Sequence, residues 1–432
     1  MKKAASFALG CKVNQYESEA IAELFAEKGY EIVGIDEEAD VYVINTCTVT
    51  NFGDKKSRQL IRKVKRQNEN AIVAVVGCYA QTAPKELMEI AGVNLVIGTK
   101  DRAQIVEMVE QYDRANGVEN HVSDIMKERV FEPLSIQKLA NRTRAYLKIQ
   151  DGCSQYCSYC IIPYARGPIR SREPQEVVAE VKRLAENGFK EVVLTGIHVA
   201  SYGKDRRDTS LLDILKQVHE VEGIERIRFS SIEPNVVTEE FAQTMAALPK
   251  VCDHFHLSLQ SGCDKTLKEM NRKYDTEKYR QAVATLRKYL PKVALTTDII
   301  VGFPGETEED FRESYAFAEE IGFAKIHVFP YSPKRGTPAA ARKDQLLNAV
   351  KSERSHTLIQ LSDRMAADFL ADAVGTDAEV LYERAVGDGI YEGHTTNYMK
   401  VHGRSEADLT NRIAKTHITR EEGEMLFGDV EV

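Results

Sequence analysis

No apolar run in the 432 residues approaches the ~18 that a membrane-crossing helix needs, and Met1 to Gly10 lack the pattern of a cleavable signal. The expectation is a cytoplasmic protein with no membrane partner. Excess positive charge is also missing: 58 Lys and Arg face 66 Asp and Glu, a net charge of −8. That balance excludes a protein that coats nucleic acid by bulk charge, but leaves room for a local basic patch. There is no internal repeat and no low-complexity segment. Cysteine is sparse, eight residues in all. In a long chain without a secretion signal these are thiols or metal ligands rather than disulfides. Cys252 reads as a small buried hydrophobe, and Cys263 is open between that and a working thiol. What is plentiful is apolar side chain, 43% of residues, enough for several cores in a chain long enough for two or three domains.

Three blocks are legible. In residues 1–120, strand-like runs (Ala4–Leu9, Val41–Ile44, Ala71–Val76, Asn94–Ile97) alternate with helical patterns (Ser18–Lys28, Gly53–Arg66, Pro84–Ala91, Arg102–Tyr112). Such alternation predicts an α/β fold with a parallel sheet, here a flavodoxin-like doubly wound domain. Residues 121–140 have no period and read as a linker. Residues 141–372 hold six strand candidates: Tyr146–Ile149, Glu191–Thr195, Arg226–Ser230, His254–Leu259, Val293–Ile300 and Lys325–Pro330. Helical patterns separate them at Gln175–Asn187, Leu211–Glu222, Glu239–Ala247, Thr276–Tyr289 and Glu308–Ile321, and a long helix, Asp344–Asp372, follows. Six units suit a partial (β/α)6 barrel whose chemistry lies in the loops after the strands. Residues 373–432 show short alternating runs and glycine turn signals, and predict a small C-terminal β-barrel.

Directly after the first barrel strand comes Asp151-Gly-Cys153-Ser-Gln-Tyr-Cys157-Ser-Tyr-Cys160. Three thiolates on a short loop can wrap one face of a [4Fe–4S] cluster and leave one iron open to a chelating ligand. A zinc site would want a fourth ligand, and no further cysteine or histidine follows within reach in sequence. The triplet resembles that of the radical S-adenosylmethionine (SAM) superfamily. The resemblance implies that the open iron takes the amino and carboxylate groups of SAM, that Tyr159 lies near the adenine, and that reductive cleavage gives a 5′-deoxyadenosyl radical. Polar strand ends mark where SAM should lie: Thr195 and Gly196, Ser231 and Glu233, Gln260, and Asp298. Gly196 is expected to let the backbone approach SAM, and Glu233 and Asp298 to accept from its amino or hydroxyl groups.

Cys11, Cys47 and Cys78 each stand just after a strand of the first block, in the contexts Leu9-Gly-Cys11, Asn45-Thr-Cys47 and Val76-Gly-Cys78. Strand ends of a doubly wound sheet share one edge, so the three are expected to meet there. Three thiolates again suggest a [4Fe–4S] cluster with an open iron. With Gly10-Cys-Lys-Val-Asn-Gln-Tyr-Glu-Ser18, Ile162-Pro-Tyr-Ala-Arg-Gly167, Arg170-Ser-Arg172, Gln260-Ser-Gly262 and Gly302-Phe-Pro-Gly-Glu-Thr307, the chain resembles the methylthiotransferase family along its whole length. That family joins an N-terminal methylthiotransferase domain, a radical SAM partial barrel and a C-terminal TRAM domain. The resemblance implies two clusters: the one on Cys11, Cys47 and Cys78 carries sulfur, which one SAM methylates, and the triplet's SAM yields the radical that activates the substrate carbon.

The residues after Cys11, with Gly196-Ile-His-Val-Ala-Ser-Tyr-Gly203 and Ser230-Ser-Ile-Glu-Pro234, look like the MtaB-like branch. That likeness implies methylthiolation of carbon 2 of N6-threonylcarbamoyladenosine at tRNA position 37. It also implies as partners the tRNA anticodon stem-loop, a sulfur source, and an electron donor such as flavodoxin or ferredoxin. Other branches act on isopentenyladenosine or on a ribosomal-protein aspartate. From another class, an iron–sulfur electron-transfer protein is the alternative, and the open irons and polar strand ends speak against it. For RNA contact the candidates are Lys55, Lys56, Arg58, Arg62, Lys63, Lys65 and Arg66 on one helix. The last block carries six Lys and Arg against thirteen Asp and Glu from Asp372 onward, so its RNA contact must come from a local group: Lys400, Arg404, Arg412, Lys415 and Arg420.

Overall fold

The structure, a computed structural model, describes residues 1–136 and 143–431. Positions 137–140 of the expected linker, 141–142 of the second block, and Val432 lie outside the described residues. Six strands form the first sheet: β1 (Lys3–Ala8), β2 (Glu31–Ile32), β3 (Val41–Thr46), β4 (Ile72–Gly77), β5 (Leu95–Val96) and β6 (Glu119–Asn120). Their order is β2-β1-β3-β4-β5-β6, with every neighbouring pair parallel. Strands covered on both faces are apolar at every position. In β3 and β4, Tyr42, Ile44, Val73 and Val75 enter one apolar cluster, while Val41, Val43, Ala74 and Val76 enter the other. Each such fully buried valine or isoleucine contributes roughly 1.5–3 kcal/mol. The doubly wound domain expected from the sequence is therefore present.

The first helix begins at Lys12, well before the predicted Ser18, and runs to Glu27. Its first turns read as loop because Asn14, Tyr16 and Glu17 break the apolar period, yet all three are buried. Their polar atoms meet residues 134–180, as described below. The helix Asn51–Gln67 starts after Thr50, whose hydroxyl accepts from the Gly53 amide. Residues 121–136 are irregular but packed: Leu134 and Ile136 join Tyr16 and Ala20 in a small apolar cluster.

In the second block, β7 (Arg144–Asp151), β9 (Glu191–Gly196), β10 (Arg226–Phe229), β11 (His254–His256), β12 (Ala294–Val301) and β13 (Lys325–Pro330) follow in order round a partial barrel. A two-residue strand, β8 (Arg170–Ser171), pairs antiparallel to β7 at one edge. Isolated bridges Ile227↔Val251 and Ile232↔Leu257 connect the two ladders across β10 and β11. The helices Glu239–Ala247, Thr276–Tyr289 and Glu308–Ile321 match their predicted bounds, and a Thr307–Asp310 capping box fixes where the last one starts.

Alternation along the barrel strands separates two environments. Ala145, Leu147, Ile149, Val192, Leu194, Ile227, Phe229, Phe255, Leu295 and Ile326 face the helices in one apolar cluster. The intervening positions face the lumen and are largely polar: Arg144, Lys148 and Gln150, Glu191 and Thr195, Arg228, His254 and His256, Thr296 and Asp298, His327. A packed barrel core is filled by Val, Ile and Leu. This lumen is lined instead like a ligand chamber.

The long helix Asn348–Ala371 leads to a closed barrel of β14 (Asp377–Gly387), β15 (Ile390–Thr395), β16 (Lys400–Arg404), β17 (Arg412–Glu422) and β18 (Met425–Val430), in the order β14-β15-β16-β18-β17. It docks at the strand-start end of the partial barrel. Arg226 donates to the carbonyls of His394 and Glu379, Arg144 pairs with Glu383 at 3.0 Å, and the Tyr398 ring lies 4.6 Å from the Arg228 guanidinium. Among the described residues no helix is long and apolar enough to cross a membrane.

Candidate active site

β1, β3 and β4 are neighbours, and Ala8 pairs with Asn45 and Thr46 with Gly77, so their carboxyl ends lie side by side. Cys11 caps the helix after β1, Cys47 follows β3, and Cys78 opens the short helix after β4. Two glycines make the approach possible. Gly10, at φ +98°, leaves space that a Cβ would contest with Cys47 Cβ and Sγ at 2.6 Å. Gly77, at φ +91°, stands where a Cβ would fall 2.7 Å from the Thr46 carbonyl. Only glycine fits either backbone. Burial pushes the Cys78 thiol up to about 12 and also raises that of Cys47. Arg166 opposes this by donating from Nε to Cys78 Sγ at 3.1 Å.

The triplet loop is held by backbone bonds: Cys153 N donates to the Gly167 carbonyl and Ser158 N to the Met270 carbonyl, both at 3.0 Å. Burial raises the Cys153 thiol to about 11 and that of Cys160 to about 12. Arg272 donates to Cys157 Sγ at 3.1 Å and to Glu233 Oε1 at 2.7 Å. Glu233 in turn lies 3.0 Å from His198 Nε2. Burial thus favours the neutral thiol at Cys47, Cys78, Cys153 and Cys160, and bound iron is the partner that would hold them ionised. Among the described residues no three Cys, His, Asp or Glu side chains converge as ligands of one ion. A cubane spreads its thiolates over separate irons and needs no such convergence.

The two groups are connected. Arg166 belongs to the helix Ile162–Arg166 just beyond the triplet, yet it touches a cysteine of the first domain. It also bonds Asn14 Oδ1 at 2.6 Å and Glu17 Oε1 at 2.5 Å. Around Glu17 gather Arg102, Lys148 and, through Lys148, Asp151, all essentially without solvent exposure. Burial alone would raise the Glu17 carboxyl, but Arg102, Arg166 and Lys148 hold it well below the usual range. Tyr16 donates to the Leu134 carbonyl, and Arg172 pairs with Glu180 at 2.6 Å. Between the domains lies a recess of about 230 Å³ lined by Val49 and Thr50 on one side, and by Tyr159, Cys160, Gln260 and Asp298 on the other.

Three of the residues predicted for SAM, Tyr159, Gln260 and Asp298, therefore share this recess. Glu233 is buried on Arg272 and His198, Thr195 is buried with its hydroxyl on the Val193 carbonyl, and Ser231 is exposed. At Gly196, a Cβ would lie 2.9–3.1 Å from Gln150 atoms, so the missing side chain makes room for Gln150. Of the basic helix, Lys55, Lys56, Arg62, Lys63 and Arg66 are exposed. Lys56, Arg62, Lys63 and Arg66 border a recess with Phe7 and Leu9. Arg58 instead bonds the Tyr79 hydroxyl and Lys65 the Ala71 carbonyl. In the last block, Lys415 pairs with Asp377 and Glu431, Arg420 with Glu422, and Lys400 approaches Glu392, while Arg404 and Arg412 are exposed. Cys252 and Cys263 are both buried, and the Cys263 thiol donates to Asp310.

The sequence did not single out Asn14, Glu17 or Arg166 as individual site residues, although all three lie inside strings that carried the family resemblance. His198 lies in the Gly196–Gly203 string that carried the branch likeness, whereas for Arg272 and Gln150 no signal of type or spacing was available.

Residues 147–318 match the model of the radical SAM superfamily, and residues 3–98 match that of "Uncharacterized protein family UPF0004". The chain is 47% identical over 425 residues to the threonylcarbamoyladenosine tRNA methylthiotransferase MtaB of Bacillus subtilis, covering 97% of this chain and 94% of that protein. It is 36% identical to the tRNA-2-methylthio-N(6)-dimethylallyladenosine synthase of Moorella thermoacetica, covering 98% of this chain and 96% of that protein. Among solved structures, the radical SAM methyltransferase TsrM of Kitasatospora setae superimposes with a TM-score of 0.57 at 16% identity, over 79% of this chain and 77% of that one, a likeness of fold. The chain belongs to the MtaB-like branch of the methylthiotransferase family of radical SAM enzymes.

Proposed function

We propose that this enzyme inserts a methylthio group at carbon 2 of N6-threonylcarbamoyladenosine at tRNA position 37, in the cytoplasm, giving 2-methylthio-N6-threonylcarbamoyladenosine. The observation that carries the reading is the placing of two three-thiol groups on separate domains linked by Arg166, with Val49 and Thr50 of the first domain and Cys160 of the second lining one recess. Cys153, Cys157 and Cys160 would hold one [4Fe–4S] cluster, and Cys11, Cys47 and Cys78 a second. When bound, these groups and SAM supply the radical, the sulfur and the methyl group. The chain's own residues bind and orient. Tyr159, Gln260 and Asp298 line the recess where SAM would lie, and Thr195, Gly196, Ser231 and Glu233 are the other strand-end residues assigned to it. Arg272 and Arg166 fix a ligand sulfur each. The buried ion pairs of Glu17 with Arg102, Lys148 and Arg166 keep water out of the domain interface beside Cys78, one side of the region where a radical must not be quenched.

The adenosine has to leave its stack to enter the recess, and a base in the anticodon loop, already unpaired, does so at lower cost. Lys55, Lys56, Arg62 and Arg66 offer a positive surface for the phosphates, joined by Arg404 and Arg412, while Lys63 is paired with Asp36. A flavodoxin- or ferredoxin-type donor would supply electrons, and a separate source the sulfur. The test is anaerobic turnover of the reconstituted chain with SAM and dithionite on an anticodon stem-loop carrying threonylcarbamoyladenosine. Release of 5′-deoxyadenosine together with a methylthio gain on that nucleoside is expected. Absence of 5′-deoxyadenosine, or preferential modification of a stem-loop carrying dimethylallyladenosine, overturns the reading.

A further inference from the structure

Lys12 directly follows Cys11, but its side chain leaves the first domain. Its ammonium lies 5.9 Å from the centre of the Tyr146 ring on β7. The charges within its reach are those of the barrel lumen: Tyr398, Arg144, Arg228 and Glu191, with His254 and His327 on the far wall. The other lumen cations are already occupied. Arg144 pairs with Glu383, Arg228 with Glu191, and Lys148 with Glu17 and Asp151. Among the described residues, Lys12 has no hydrogen-bonding or ion-pairing partner. A second unmet group lines the same lumen: His254 is 7% exposed, and its Nδ1 has no hydrogen-bond partner among the described residues.

A cation and an unpaired ring nitrogen facing one chamber are the complement of an anion. The proposed substrate brings one. The threonylcarbamoyl substituent ends in the carboxylate of threonine, whereas a dimethylallyl group carries no charge. We propose that Lys12, reaching into the lumen from beside the first cysteine group, binds the carboxylate of the N6-threonylcarbamoyl substituent and so selects this nucleoside. The inference rests on the substrate reading above. It puts the selecting charge one residue from a thiol proposed to serve sulfur delivery, so that holding the substituent and presenting carbon 2 are one act of positioning. Lys12 is here a specificity determinant, not a catalytic residue. The carboxylate of SAM has the same chemistry, and the test separates the two.

Binding of anticodon stem-loops to the reconstituted full chain is measured without SAM, comparing threonylcarbamoyladenosine with its carboxamide, in which only the charge is lost. Charge-assisted hydrogen bonding predicts that the wild type favours the carboxylate RNA by on the order of ten- to a hundredfold. In Lys12→Met that preference falls towards one, and Lys12→Arg keeps part of it. Should Lys12→Met fail to load iron, Lys12→Gln is read in the same way, and the wild-type preference needs no variant at all. Equal wild-type binding of the two RNAs, with methylthiolation of the carboxylate RNA intact, overturns the inference and spares the substrate reading. So does a full preference in Lys12→Met. Failure of the wild type to methylthiolate the carboxylate RNA overturns both.

Discussion

Cys153, Cys157 and Cys160 are contained in eight consecutive residues of one loop, whereas Cys11, Cys47 and Cys78 meet only because three neighbouring strands end at one sheet edge. The first group needs little beyond its loop. The second needs the whole first domain, and then part of the other, because Arg166 reaches it from just beyond the triplet. Yet the two share one device. In each, an arginine donates to a cysteine sulfur at 3.1 Å and is itself pinned by a buried glutamate, Glu17 for Arg166 and Glu233 for Arg272. A local motif and a long-range one thus arrive at the same electrostatic support. In the long-range case that support also fastens the domains together.

If the pinning glutamate matters more where it joins domains, Glu17→Gln is the most damaging change. It removes the buried anion closest to Arg102, Arg166 and Lys148 together and leaves them to Asp151 and Glu132 in a dry interface, a loss of about 3–5 kcal/mol. Urea unfolding should show it at neutral pH, with a midpoint close to wild type contradicting the role. The pH dependence has a definite sign. Because the folded carboxyl is held well below its usual value, its contribution is complete above about pH 4.5 and is lost as pH falls from there through the folded value. Wild type should therefore lose stability below that point more steeply than Glu17→Gln.

The arginines sharpen the comparison on a smaller scale. Hydrogen bonds to cluster sulfurs tune reduction potential, favouring the more negative, reduced state. Arg272→Gln should lower the potential of the triplet cluster alone, and Arg166→Gln that of the other alone, read by EPR-monitored redox titration. A shift of both by either variant would break the assignment. Smallest is the effect of single basic residues on RNA binding. Arg62→Ala or Arg66→Ala should flatten the salt dependence by roughly 0.7–0.9 per lost phosphate contact. Lys415→Ala should leave it unchanged, since Lys415 already serves Asp377 and Glu431. A flattened slope for Lys415→Ala would move the RNA surface to the last domain.

Much of this architecture was legible because it follows from period and punctuation. β3 and β4 announce a doubly covered sheet by unbroken apolar runs, and Thr307 marks the start of its helix. What stayed hidden depends on partners distant in sequence. The first two turns of the helix Lys12–Glu27 look solvated until Arg166 and Tyr146 are placed against them. Arg58 and Lys65 look like their exposed neighbours until Tyr79 and Ala71 are seen to take them. The polar lumen was partly visible at the strand ends, but Arg144 and His254, at strand starts, and Arg228, inside β10, gave no sign of facing a chamber.

The division between the two thiol groups is best tested by Cys47→Ala. Iron content, 5′-deoxyadenosine and modified nucleoside are measured on one anaerobic preparation. The account predicts about half the wild-type iron, continued formation of 5′-deoxyadenosine and no methylthio product. Undiminished iron with full methylthiolation would contradict it.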